Sequence, residues 1–286
     1  VDKRSLTGLI LVLIFILGSC NPFTTNLYSR FDVFENPDLT DADAVLEASD
    51  EPQFYENLAN DPEAKAQVLE TLAEVYNDPD ASDEKQQEAA LMSADVYLKT
   101  SDTQAVMSNL NSLVSDAVSG EDVFSGESES DGPEVFYRSI FGEPPTDVAQ
   151  ATYKAAVIIR LTAFRDSAVP LQVYGEKLEE TNSSPPDTND GDNATKALMA
   201  GMTRTLLYYI DESTAEDKLD ILAEYLSTPE DSDGNVLPAI TYVGGMPEYE
   251  GPNDMLLDPD DPTNPAKDGL QTVVSFGGLD LDSFFE

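Results

Sequence analysis

Apolar residues recur at helical spacing along most of this chain. Apolar positions three and four apart share one face of a helix, whereas strict alternation marks a strand. On that basis residues 40–48 form a short helix around Val45 and Leu46. Residues 52–59 form a second, with Phe54, Tyr55 and Leu58 inward. Asp61 before Pro62 and Glu63 is an N-terminal signal: a carboxylate accepts orphan N–H bonds, and proline fits the first helical position. Leu69, Leu72, Ala73 and Tyr76 follow on one face. Ser82 caps a helix reaching Lys99, with Ala90, Leu91, Ala94, Tyr97 and Leu98 on or near its buried side. Ser101 and Gln104 have the spacing of a capping box, and Val106, Leu110, Leu113 and Val114 carry the period to about residue 118.

Residues 120–132 are acidic and rich in Ser and Gly, hence a loop, and residues 134–141 form a short helix. Residues 147–168 are the longest apolar helix. Ala155, Ala156, Val157, Ile158, Ile159, Leu161, Ala163 and Phe164 leave it apolar nearly all round, which predicts a central, buried position. Pro170 is expected to break or kink it, with the pattern resuming over 171–180. Residues 182–193 form a second loop. Residues 195–210 are helical, with Leu198, Met202, Leu206 and Tyr209 on one face. Ser213 and Glu216 make a second capping box ahead of Leu219, Leu222, Ala223 and Leu226. Residues 229–286 then turn rich in Pro and Gly, with two β-like runs, 239–243 and 270–276. Their apolar residues (Tyr242, Val243, Val273, Val274, Phe276, Leu279, Leu281, Phe284 and Phe285) are too many for a free tail and are expected to pack on the helices. The fold class that follows is all-α: stacked helical hairpins over 38–228, TPR-like or an irregular helical bundle, with a loop-rich segment, 229–286, docked on them.

The set Leu69, Leu72, Ala73, Tyr76 is similar to the first helix of a tetratricopeptide (TPR) repeat, read as large, large, small, aromatic. Ala94 and Tyr97, with Val106 and Leu110 beyond the turn, resemble the next positions of that family. The family's period of about 34 residues is not sustained. The resemblance implies a groove for a peptide or a partner helix.

The amino-terminal segment has a different character. Lys3 and Arg4 precede an unbroken apolar run over residues 9–17, which closes on Leu17-Gly18-Ser19-Cys20. A run of this length suits a secretory signal and is short for a membrane span. The segment resembles a bacterial lipoprotein signal with its lipobox. That resemblance implies cleavage before Cys20, a diacylglyceryl group on its sulfur and acylation of the new amine. Two or more chains anchor a protein stably. Residues 1–19 are then the signal peptide and 20–37 a lipidated tether carrying Phe23, Tyr28, Phe31 and Phe34. The expected location is the cell envelope, outside the cytoplasm.

Composition narrows the chemistry. The chain has 286 residues, 56 Asp plus Glu against 15 Lys plus Arg, and a net charge of −41. With no basic tract, nucleic-acid binding is disfavoured, because phosphate contacts need clustered cations. Anionic lipid repels such a surface, so the membrane contact rests with the lipid on Cys20. Spread along the whole chain, the acid reads as a surface suited to saline water. There is one cysteine, so no disulfide forms within the chain, and there is no histidine or tryptophan. The missing histidine removes Ser-His-Asp and Cys-His catalysis and every His-ligated metal site.

Three Asp-rich runs have calcium-like spacing: Asp187, Asn189, Asp190 and Asp192; Asp231, Asp233 and Asn235; and Asp258, Asp260, Asp261 and Asn264. Calcium takes six to eight oxygens, and none of the three completes an EF-hand loop. Gly191 is one place early in the first, and Pro229 and Ile240 stand where ligands belong in the second. Weak, diffuse calcium binding is expected, and no cofactor. Two carboxylates about 5–10 Å apart suffice for glycoside hydrolysis, but spacing selects no pair among so many acids, so no catalytic residue is assigned. The function expected is a non-enzymatic interaction scaffold or binding subunit at the envelope, its partner a protein of the envelope or of solute transport. The alternatives are a carboxylate hydrolase of envelope glycans and calcium-dependent adhesion.

Overall fold

The structure is a computed structural model that describes residues 37–118, 133–146, 148–181, 190–230, 240–243 and 270–276. Apart from Pro37 these residues lie in the unit Asp38–Glu286, and they form ten α-helices and no strand among the described residues. The helices are α1 (Ala42–Glu47, followed by a 3-10 turn, Ala48–Asp50), α2 (Pro52–Asn60), α3 (Pro62–Tyr76), α4 (Asp83–Lys99) and α5 (Gln104–Val118). Then come α6 (Pro133–Phe141), α7 (Gln150–Thr181), α8 (Asp190–Tyr209), α9 (Ala215–Ser227) and α10 (Leu270–Phe276). The protein is all-α.

The fold is gathered around α7. Helices α4, α8, α9 and α10 all pack on it, and α4 is its most extensive partner. That pairing joins helices far apart in the chain, as in an irregular bundle; serial TPR-type stacking is not seen among the described helices. The sequence reason lies in α4. Ala89, Ala90, Ser93 and Ala94 are all buried, and such small side chains let α3 and α7 approach from either side. On α7, Val157, Leu161, Phe164, Leu171 and Leu178 are fully buried, each such apolar side chain contributing about 1.5–3 kcal/mol of transfer free energy. The helix continues through Pro170, where a break or kink is expected. The missing N–H leaves the Asp166 carbonyl without its helical partner, and packing on both halves of α7 outweighs that loss.

Other expectations need correction. The run 270–276 is helical, not β-like: its Val and Thr residues favour strands only through packing on a sheet, and α10 instead packs on α8 and α7 with Val273 and Val274 buried. Residues 240–243 reach only an isolated antiparallel bridge, Ile210 with Tyr242. Ile240 is buried there, but Val243 is 56% exposed, against the expectation that it packs inward. On α3 the buried residues are Val68, Thr71 and Leu72; of the TPR-like set Leu72 is fully buried, Leu69 and Ala73 are half-buried, and Tyr76 is half-buried against the core. Phe276 is placed on α10 by its backbone alone, and Leu279, Leu281, Phe284 and Phe285 lie outside the described residues.

Capping follows the expected chemistry at two helices and shifts at two others. Asp61 accepts from the Glu63 and Ala64 N–H groups, and Ser82 from Lys85 N–H. Ser101 does not form its box. Helix α5 starts only at Gln104, and the Thr103 hydroxyl donates back to the Leu98 carbonyl at 2.9 Å. At α9 the cap is Thr214, one residue beyond Ser213: its oxygen accepts from Asp217 N–H at 3.1 Å and its hydroxyl donates to the Asp217 carboxylate at 2.7 Å.

The scarce cations join helices. Arg138 of α6 is 5% exposed. It donates to the carbonyls of Tyr225 (3.0 Å) and Thr228 (2.7 Å), and so closes the carboxyl end of α9, where a cation also suits the helix dipole. Its Nε lies 3.3 Å from the Glu230 carboxylate without hydrogen-bond alignment. Lys154 of α7 reaches Asp220 (2.9 Å) and Glu224 (2.7 Å) of α9. Arg160 of α7 holds the turn between α4 and α5 by the Asp102 carbonyl (2.9 Å) and carboxylate (2.6 Å). Asp102 sits at φ 52°, a left-handed conformation that Asp tolerates better than most residues.

Candidate functional site

A concavity lies along α5. From Thr103 to Ser115 this helix carries no charged residue, an exception in so acidic a chain. Its exposed side presents Gln104, Ser108, Asn111, Ser112 and Ser115 at spacings of three and four, the interval that places residues on one helix face. With Met107 and Asp192 of α8, these residues line a groove of about 490 Å³. That volume falls in the range of small-molecule sites, but such sites are mostly apolar, whereas these walls offer hydroxyls and amides. Ser112 donates to the Ser108 carbonyl at 3.0 Å.

Asp192, the one charged residue of the groove, is neutralised from behind. Lys196, one turn along α8, lies 2.8 Å from Asp192 and 2.8 Å from Asp95 of α4, and 3.3 Å from the Asn193 side-chain oxygen. The other Asp95 oxygen holds Lys99 at 2.8 Å, and Lys99 sits over the Tyr55 ring, 4.4 Å from its centroid. Burial pulls the Lys196 ammonium toward the neutral form, but Asp95 and Asp192 together outweigh it and hold its pKa above the ordinary lysine value. Burial, then Asp95 and Asp50, push the Tyr55 phenol well up, so it stays protonated. The cluster is a chain of alternating charge from α4 to α8, with the Tyr55 ring of α2 against Lys99. It can hold three helices together.

Of the calcium candidates, only Asp190 and Asp192 fall among the described residues. Asp190 and Asp192 belong to α8, which begins at Asp190, so the loop expected over 182–193 ends earlier than its sequence suggests. Asp192 is paired with Lys196. Among the described residues, no group of three or more His, Cys, Asp or Glu is arranged to hold a metal. Asp187, Asn189, Asp231, Asp233, Asn235, Asp258, Asp260, Asp261 and Asn264 lie outside the described residues, as do Cys20 and the lipobox Leu17, Gly18 and Ser19. Among the described residues, no helix is long and apolar enough to cross a membrane.

The residues that sequence reasoning missed are Lys196 and Asp95. Their signal was present: Asp95 with Lys99, and Asp192 with Lys196, are acid–lysine pairs four apart, the spacing that pairs charges on a helix. Compared with known protein families, curated proteins and solved structures, the chain matches none. What the fold and groove define is an all-α bundle with ionic side chains joining its helices and a polar groove on its surface.

Proposed function

We propose that this chain is an exported lipoprotein, anchored through Cys20, whose helical bundle serves as a non-enzymatic scaffold for a protein partner at the cell envelope. The anchor rests on the lipobox Leu17-Gly18-Ser19-Cys20 and the single cysteine of the chain. The observation that carries the scaffold is the use of the cations. Lys154, Arg160 and Lys196 each bridge two helices or a helix and a turn, which stiffens a body whose surface is otherwise available for contact. A hydrolase reading needs an ionised acid beside a second acid in a cleft, and the one acid of the α5 groove is paired with Lys196.

The test has two parts in the producing cells. Labelling with an alkyne fatty acid is expected to mark the wild-type chain and not Cys20→Ala, which keeps residues 1–19; equal labelling of both ends the anchor. Chemical cross-linking is expected to join the wild-type chain to one recurrent protein and to lose it in Cys20→Ala. Release of sugar fragments from envelope glycan by the purified chain would replace the scaffold with the hydrolase.

A further inference from the structure

The central helix is not covered all round. Along its first turns α7 and the residue run before it expose Val148 (40%) and Ile159 (55%), and between them Ala151, Thr152 and Ala155 are exposed as well. On a helix of 3.6 residues per turn, Ala151, Thr152, Ala155 and Ile159 form one stripe, opposite the buried face of Val157, Leu161 and Phe164. The stripe runs about 12 Å from Ala151 to Ile159 at 1.5 Å per residue. It is charge-free in a chain of net charge −41.

Its borders are not charge-free. Lys154 and Arg160 leave α7 on opposite sides of the stripe, each toward an acid of a neighbouring element. On one side Asp220 and Glu224 of α9 are 60% and 39% exposed over Lys154, which is only 20% exposed. On the other, Asp102 is 82% exposed over Arg160 at 16%. The cations lie beneath and the carboxylates face outward, so solvent meets an apolar strip with an acidic rim on each side.

We infer that this face of α7 is a docking site for a cationic amphipathic helix of a partner protein, with small and apolar residues on its contact face and Lys or Arg along both flanks. Ala151 and Ala155 let a helix backbone come close, Ile159 anchors one end, and the two rims select positive flanks. A second copy of this chain is a poor occupant, because it would set acid rim against acid rim. The contact is small, which places it among transient interfaces. The inference rests on the scaffold reading and gives that reading a surface and a partner chemistry.

The probe is a helical peptide of about 18 residues, long enough to be helical in water, with Ala and Leu on one face and Lys on its flanks. A second peptide carries Glu in place of every Lys. The full chain in nanodiscs of zwitterionic lipid is titrated with each, and empty nanodiscs are subtracted. The Lys peptide is expected to bind and the Glu peptide not to. Ile159→Asp, a charge at the centre of the contact, is expected to weaken binding about tenfold or more, as loss of a buried anchor does. Val243→Asp, at an equally exposed apolar residue elsewhere, is expected to leave it unchanged. Equal binding by wild type and Ile159→Asp would mean diffuse charge attraction and would overturn the site. So would equal binding of the two peptides, or cross-linking of the chain to itself through a photoreactive residue at Ala155. None of these results touches the Cys20-dependent partner capture that tests the scaffold.

Discussion

Lys196 shows how a lysine can be nearly buried in this protein at net benefit. A buried ammonium loses hydration worth several kcal/mol, and it is tolerated only where carboxylates and hydrogen bonds replace the water. Asp95, Asp192 and Asn193 supply that replacement. Removing it leaves Asp95 with Lys99 alone and Asp192 with none of these partners. Lys196→Ala is therefore expected to cost about 3 kcal/mol, the lower end for breaking a buried pair, and to shift the urea midpoint without changing the slope. Lys99→Ala touches a half-exposed lysine and is expected to cost about 1 kcal/mol or less. Equal losses in the two variants would show that the inner lysine is no more desolvated than the outer one. The pH dependence has a definite sign. The Lys196 pKa is raised above the ordinary value of 10.5, so the native state holds its proton more tightly than the unfolded chain. Its contribution is fully present below that value and is lost as pH climbs through the higher native one. Alkaline unfolding of Lys196→Met is expected to lack this component, and an unchanged alkaline limb in that variant would remove Lys196 as its source.

At the scale of the element, α9 tests what a sequence can and cannot say about its own boundaries. Ser213-Thr214-Ala215-Glu216-Asp217 contains two overlapping capping patterns, and spacing alone does not choose between them. The structure chooses Thr214, which starts the helix at Ala215 and sets Leu219, Leu222, Ala223 and Leu226 inward. Thr214→Ala is expected to destabilise by about 1 kcal/mol, the usual worth of an N-cap, and Ser213→Ala to fall within the error of thermal melts. The reverse order would return the cap to Ser213. The same limit explains the other differences. Helix type was legible wherever apolar residues kept the 3.6 period over several turns, as in α4, α7 and α8. It was not legible in α10, where seven residues that include Thr272, Val273, Val274 and Phe276 fit a strand until their neighbours are known. Nor was it legible that α7 would expose Ile159: the period shows that a helix is apolar on many sides, but not which neighbour is missing from one of them. The α5 groove was hidden for a related reason, since a Ser and Asn face reads as ordinary solvent surface until Asp192 of a distant helix closes it.

For the whole molecule the governing quantity is the charge imbalance. The structure sharpens it, because Lys85, Lys99, Arg138, Lys154, Arg160, Arg165, Lys177 and Lys196 are all paired with acids. Most of the remaining carboxylates among the described residues are exposed. Folding draws them together, and the unfolded chain relieves that repulsion by expanding. Added NaCl shortens the Debye length from about 30 Å at 0.01 M to about 3 Å at 1 M. Salt also weakens the ion pairs, but exposed pairs contribute only about 0–1 kcal/mol each, and the more buried ones, at Lys196 and Arg138, are screened least. Repulsion among the surplus acids is long-ranged, and it involves many more groups. The soluble form beginning at Asn21 is therefore expected to melt at steadily higher temperature from 0.01 M to 1 M NaCl, without a divalent cation. A step that saturates at low calcium and ignores NaCl would instead locate a specific cation site and revive the adhesion reading. A melting temperature that stays flat or falls across the NaCl series would mean that the interhelical ion pairs dominate after all, and a surface adapted to saline water would no longer be the reason for the acid.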